Sequence, residues 1–239
     1  NYNAVEGCTL MQITIKGMDE LRAKLHAFPK ELARAERNAV NVTATAVKNL
    51  GIDEAFNVYH VDKKSRLKKD SRDKNTTRII RAKEGETSAT VVFHGGTRPK
   101  DVDRIGLQHF KTDKQERNKK EKGWKPSSQI KRGGKIEKIE RGFYAYGAGF
   151  AAKGRQRKAR ERGSGLWQRD PTRIMNFTDY KTRKRRQGDF IVRRTGPSLK
   201  MMVESSEVFK KVREKGHTIL AQTMIKAVDA QLAKIKRQK

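Results

Sequence analysis

The chain has 239 residues, 35% of them charged and 34% hydrophobic, and a net charge of +30 at neutral pH. That length can enclose a sizeable core, the composition makes the core an economical one, and the charge predicts work beside something acidic: a nucleic acid, an anionic surface or an acidic protein. A single cysteine, Cys8, excludes an intramolecular disulfide framework, and no apolar run approaches the roughly 20 residues that cross a bilayer as a helix.

Charge is spread unevenly. Residues 1–60 hold seven Lys/Arg and seven Asp/Glu, whereas residues 61–149 hold twenty-five and twelve. The neutral part is expected to pack. Residues 1–10 show no clear period and are read as an N-terminal extension before one domain over 11–239. Met11 to Lys16 alternates apolar and polar residues as a half-buried strand does, and Gly17 closes it. Asp19 and Glu20 suit a helix N-terminus, Pro29 interrupts the apolar period of Leu21, Leu25 and Phe28, and a longer helix is predicted from Pro29. Its stripe of Leu32, Ala35, Ala39, Val42, Ala46 and Leu50 is dominated by small residues, which let another backbone approach closely. An ordinary core helix is the plain reading, and a subunit-packing helix the sharper one.

Between Lys63 and Lys74 only Leu67 is large and apolar, so a basic surface helix or loop is expected. Thr76 to Lys83 and Ser88 to His94 read as a hairpin turning near Gly85, and Ile105 to Phe110 as a further strand. Lys111 to Lys138 has few apolar anchors and is predicted to be a long basic loop or arm, since such a stretch cannot offset about 1–2 kcal/mol per residue of backbone entropy by its own burial. From Phe143 to Pro197 short apolar and aromatic pieces alternate with basic Gly-containing loops, the pattern of a small sheet projecting charge outward. Between Phe150 and Arg194 fifteen Lys/Arg face four Asp/Glu, a net of +11. The last element is a helix capped at Ser205 or Ser206, with Glu207 in its first turn and a stripe of Val208, Val212, Ile219, Leu220, Met224, Val228, Leu232 and Ile235. Gly216 inside it points to a close backbone approach or a bend. The order of elements predicts an α+β fold: an antiparallel sheet covered on one face by two long helices, with extended basic loops or arms.

Catalytic constellations are missing from this pattern. The five histidines are scattered, none at metal-ligand spacing to another ligand, and Gly142, Gly147 and Gly149 follow no phosphate-binding fingerprint. An enzyme is disfavoured, and no cofactor or metal is expected. The candidate partner surface is basic instead. It comprises Arg155, Arg157, Lys158, Arg160 and Arg162 in a Gly-bounded loop (153–165), Lys181, Arg183, Lys184, Arg185 and Arg186 in a second (181–188), and Arg169, Arg193 and Arg194 on the strands beside them. Such clusters bind polyanions by counterion release without reading bases. Tyr144, Tyr146 and Trp167 suit stacking on bases, with core or subunit packing as the plainer role.

The opening MQITIKGMDELRAKL, the SRLKKD after the first long helix, the FYAYGAGFAAKGRQRKARERGSGLWQRD block and the GPSLKMM before the last helix resemble, in that order, the minor tail protein Z family of tailed phages and prophages. Gly149, Phe150, Gly163, Gly165, Trp167 and Arg169 stand at the places of the family's central block, and Gly196, Pro197 and Ser198 at its turn before the final helix. The Lys-rich 111–138 insert and the KTRKRRQG stretch depart from that pattern. The resemblance implies a non-enzymatic tail completion subunit of the virion, assembled in the host bacterial cytoplasm. Its copies would form a ring, sixfold, at the head-proximal end of the tail, helping to join tail to head around the DNA channel. Partners would be tail terminator, tail tube and head–neck connector proteins, with non-specific contact to DNA phosphates and no membrane. Subunit packing would fall to Leu32, Ala35, Ala39, Val42, Ala46, Trp167, Ile219 and Met224. The alternative is a non-sequence-specific nucleic-acid-binding protein of ribosome-associated type.

Overall fold

An apolar run of three, Val91, Val92 and Phe93, ends the central strand of the N-terminal sheet, and all three are buried. In the computed structural model of the chain, the described residues are 9–14, 19–23, 26, 28–72, 77–94, 104–112, 126–145, 165–178 and 182–238. The fold is α+β, with antiparallel sheets and a long C-terminal helix. The chain divides into two compact units, one of Asn1–Val58, Lys64–Asp103 and Pro197–Lys239, the other of Tyr59–Lys63 and Arg104–Gly196.

The first unit holds strands β1 (Thr9–Thr14), β2 (Thr77–Ile80) and β3 (Ser88–Phe93) in the antiparallel order β1-β3-β2. β1 starts two residues before the expected Met11, because Thr9 and Leu10 continue the register opposite Phe93 and Val92. The β2–β3 connection turns through Gly85 at φ +82, a left-handed backbone that favours glycine. There the Glu86 carboxylate accepts from the Lys83 N–H at 2.7 Å. Beyond β2 the side-chain amide of Asn41 accepts from the Ala82 N–H (2.9 Å) and donates to the Ala82 carbonyl (3.2 Å), standing in for a missing strand neighbour.

The helices of this unit are α1 (Asp19–Ala23), α2 (Pro29–Val58), α3 (Lys64–Arg72), α4 (Leu199–Glu204) and α5 (Ser206–Gln238). Pro29 opens α2 because a first-turn residue needs no N–H partner and proline already has helical φ. Helix α2 lies against β3 and β1, α4 touches β3, and α5 packs along α2. Packing on two sides widens the buried arc of α2 and centres it on Val40, Thr43, Ala44, Val47 and Gly51, one step round from the predicted stripe. Val42 is consequently 55% exposed. Where α2 meets α5, the Thr43 and Thr223 hydroxyls share a hydrogen bond of 2.8 Å, and buried Glu54 takes the Lys215 ammonium. Both groups of the Glu54 pair belong to the helix contact, with the lysine reaching in from solvent. A Cβ on Gly216 would lie 3.2 Å from Val47 Cγ2, so the glycine marks the close approach and not merely a bend. Ser205 is the joint between α4 and α5, its hydroxyl donating to the Met202 carbonyl at 2.7 Å and its own carbonyl accepting from Phe209 N–H at 2.9 Å. Ser198 caps α4 by accepting from the Met201 N–H.

The second unit is made of two small sheets. One contains β4 (Lys111–Thr112), β5 (Ser127–Gln129) and β6 (Glu137–Lys138), the other β7 (Gly142–Ala145), β8 (Gly165–Thr178) and β9 (Arg185–Arg193), each antiparallel and in chain order. Residues 126–138 are therefore folded, not an arm as their composition suggested, because backbone pairing and the Gln129 side chain's donation to the Gly134 carbonyl (2.7 Å) need no apolar side chains. Residues 113–125 of that stretch lie outside the described residues. The strand expected over Ile105 to Phe110 is instead a 3₁₀ turn at Leu107–His109 between single bridges Gly106↔Thr195 and Val61↔Phe110. His109 N–H to the Gly106 carbonyl and Phe110 N–H to the Leu107 carbonyl take the groups a strand would have paired. Gly196 lies against the Phe110 ring, where a Cβ would overlap it.

Two substitutions test the first unit. Gly216→Leu forces a side chain into Val47 and is expected to cost about 1–3 kcal/mol in urea unfolding; a helix that merely bends there would instead gain up to about 1 kcal/mol in propensity. Leu67, fully buried, is the one large apolar side chain of α3. Leu67→Ala is expected to cost about 2–5 kcal/mol by the same measurement, far more than any exposed α3 lysine changed to alanine.

Candidate functional site

The basic segment is organised by strands β8 and β9, which form a long antiparallel ribbon with β7 beside its inner half. Strand β8 runs through Pro171, which cannot donate to a ladder. It is accommodated because pairing passes from Asp170↔Phe190 directly to Ile174↔Asp189 and leaves Pro171, Thr172 and Arg173 as a bulge. The bulge is held by Asp170, whose Oδ1 accepts from the Thr172 hydroxyl (2.6 Å) and the Thr172 N–H (3.0 Å). These bonds, the hydroxyl first, hold the Asp170 carboxyl below the usual carboxylate range, with Arg173 adding to them.

Antiparallel partners share a face and consecutive residues alternate. On the inner half, Phe143, Trp167 and Arg193 form one row, with Arg169 next along the same face. Leu166, on the opposite face, is fully buried. The Arg169 guanidinium lies over the Phe143 ring at 5.4 Å, and that of Arg173 over the Phe190 ring at 4.1 Å. Both residues remain exposed, the arrangement in which cation–π contact positions a charge without hiding it.

The outer half is different. Residues 171–174, 176 and 182–187 are all exposed and none is buried, so beyond the bulge the described ribbon meets solvent on both faces. Arg185 pairs with Thr178 and Arg186 with Phe177, and being consecutive they project from opposite faces. Thr182, Arg183 and Lys184 precede them in the turn, Arg183 at φ +56. From Pro171 to Gln187 the sequence has six Lys/Arg and one acidic residue, Asp179.

The structure thus brings Arg183, Lys184, Arg185 and Arg186 together at one end of the ribbon and sets Arg169, Arg193 and Arg194 at the other. Arg155, Arg157, Lys158, Arg160, Arg162 and Lys181, like Tyr146, lie outside the described residues. Arg173 was missed by the sequence reading. Its signal is the Asp-Pro-Thr before it, a turn signature inside a strand. Of the expected subunit-packing residues, Ala35, Ala39 and Met224 are each at most 1% exposed within their own chain. Leu32, Ala46, Trp167 and Ile219 are half-buried and Val42 is exposed.

Two histidines, His60 and His109, lie beside polar neighbours. His109 Nδ1 lies 3.6 Å from Asp62 Oδ2, and His60 Nδ1 lies 3.2 Å from Gln129 Oε1. Among the described residues no group of three or more His, Cys, Asp or Glu is placed to hold a metal ion, and no helix is long and apolar enough to cross a membrane. The site is that of an α+β protein with a two-faced basic ribbon. No protein-family model, curated protein or solved structure matches the chain.

The bulge bonds fix a sign. A depressed carboxyl pKa favours the folded bulge above the ordinary value of about 3.9, and that contribution is lost as pH falls through the lower folded value. In carbon-detected NMR Asp170 is expected to titrate below the exposed aspartates, and Thr172→Val should move its midpoint back toward theirs. An unchanged midpoint would remove the hydroxyl as the cause.

Proposed function

We propose that the chain is a structural virion protein, a minor tail or tail completion subunit whose copies form a ring at the head-proximal end of a phage tail and help join it to the head. The observation that carries this reading is the β8–β9 ribbon, which turns basic side chains outward on both faces while the first unit closes its own core. A chain of net charge +30 is tolerable where neighbours cancel it, as packed tail rings and the DNA between them would. The ordered blocks that resemble the minor tail protein Z family support the same reading. In it the ribbon faces DNA phosphates or an acidic face of an adjoining ring, tail terminator, tail tube and connector proteins are the neighbours, and no catalysis is required.

The same ribbon favours one other reading, a non-specific nucleic-acid-binding protein that works as a monomer. Rings on a sizing column or electron-microscope grid separate the first from the second. Changing Arg173, Arg183, Lys184, Arg185 and Arg186 together to Ala is expected to leave circular dichroism and melting unchanged. It should lower the yield of joined, infectious particles at least tenfold while free heads and tails accumulate. Normal yields from this variant would overturn the proposal.

A further inference from the structure

We propose that the outer half of the β8–β9 ribbon inserts into the major groove of duplex DNA and grips the phosphates of both groove walls. The inference deepens the reading above by naming the ribbon's partner, and rests on it only in taking the ribbon as a partner-facing surface.

Three features select this partner. The first is the two-sided charge: Arg185 and Arg186 project from opposite faces, Arg173 stands on the bulge, and Arg183 and Lys184 lie toward the tip. A flat acidic protein surface would meet one face and leave the cations of the other unmatched, whereas a groove offers phosphates on two sides. The second is size. Two paired strands have backbones about 4.8 Å apart, and the B-form major groove, roughly 12 Å wide, admits such a ribbon; the deep, narrow major groove of A-form RNA does not. The third is chemistry. Four of these five cations are arginines, whose planar forks match phosphate oxygens and stay charged at every physiological pH. Nothing in this arrangement requires a particular base sequence, so binding is governed by phosphate number and salt.

The test uses the full chain and a short mixed-sequence DNA duplex, with binding followed over a series of salt concentrations. Two variants of equal charge change are compared. One carries Arg173→Gln, Arg183→Gln, Lys184→Gln, Arg185→Gln and Arg186→Gln; the other carries Lys210→Gln, Arg213→Gln, Lys226→Gln, Lys234→Gln and Lys236→Gln on the exposed side of α5. The ribbon variant is expected to lose about 4 to 5 from the slope of log K against log salt, at about 0.9 per phosphate contact, and the α5 variant less than about 1. The unaltered chain should protect guanine N7, which lies in the major groove, from methylation, and should bind the corresponding RNA duplex at least tenfold more weakly. Equal losses from the two variants, unprotected N7, or equal affinity for RNA would each overturn the inference. Should the five-fold ribbon variant fail to fold, Arg185→Gln with Arg186→Gln is expected to lose about 2 from the slope, and an unchanged slope sinks the idea equally. Particle joining lost with groove binding intact would count against DNA as the ribbon's essential partner and leave the tail reading standing. Groove binding lost with joining intact would do the reverse.

Discussion

Close approach of α2 and α5 is the constraint on which the first unit depends. Only a third of the residues are hydrophobic, so few large side chains are available to fill a core. The chain compensates with small residues along α2 and with Gly216 on α5, which let two long helices pack at short range, where dispersion contacts are densest. Thr43 and Thr223 satisfy each other at that contact, and buried Glu54 is matched by a lysine whose stem comes in from solvent. With α2 thus held, its other side closes over the apolar end of β3.

In the second unit charge takes the place that apolar packing has in the first. Its strands are held by backbone pairing and by a few anchors such as Leu166, Ile139 and Phe110. Arginines are steered by rings, Arg169 by Phe143 and Arg173 by Phe190. Arg169 and Arg173 are therefore presented in fixed directions, which would lower the entropy lost if a polyanion engaged them.

Much of this was legible in the residues themselves. Alternation in MQIT marked β1, the β2–β3 hairpin followed from two β-rich runs about a glycine, and Pro29 marked the start of α2, since each signal is local. What was not legible depended on neighbours distant in sequence. The buried arc of α2 turned away from Val42 because α2 is packed on two sides. Residues 126–138 fold through main-chain hydrogen bonds to which composition is blind. Strand β8 passes through Pro171 because a bulge removes the need for its N–H, and the same bulge brings Arg173 to the ribbon, where spacing along the chain would not have put it. The basic clusters were identified as clusters, but that Arg185 and Arg186 diverge to opposite faces is a matter of register.

Strand β9 has no partner strand on its outer side among the described residues, apart from the bridge at Thr195. An open edge of this length is a template on which another chain's strand can add, the first step toward runaway stacking. Here every copy carries the same arginines along that edge, so two ribbons repel before their backbones can align. The guard is electrostatic and conditional: whatever neutralises the arginines also lifts the bar to lateral pairing, and copies gathered on one polyanion would be the first able to zip together.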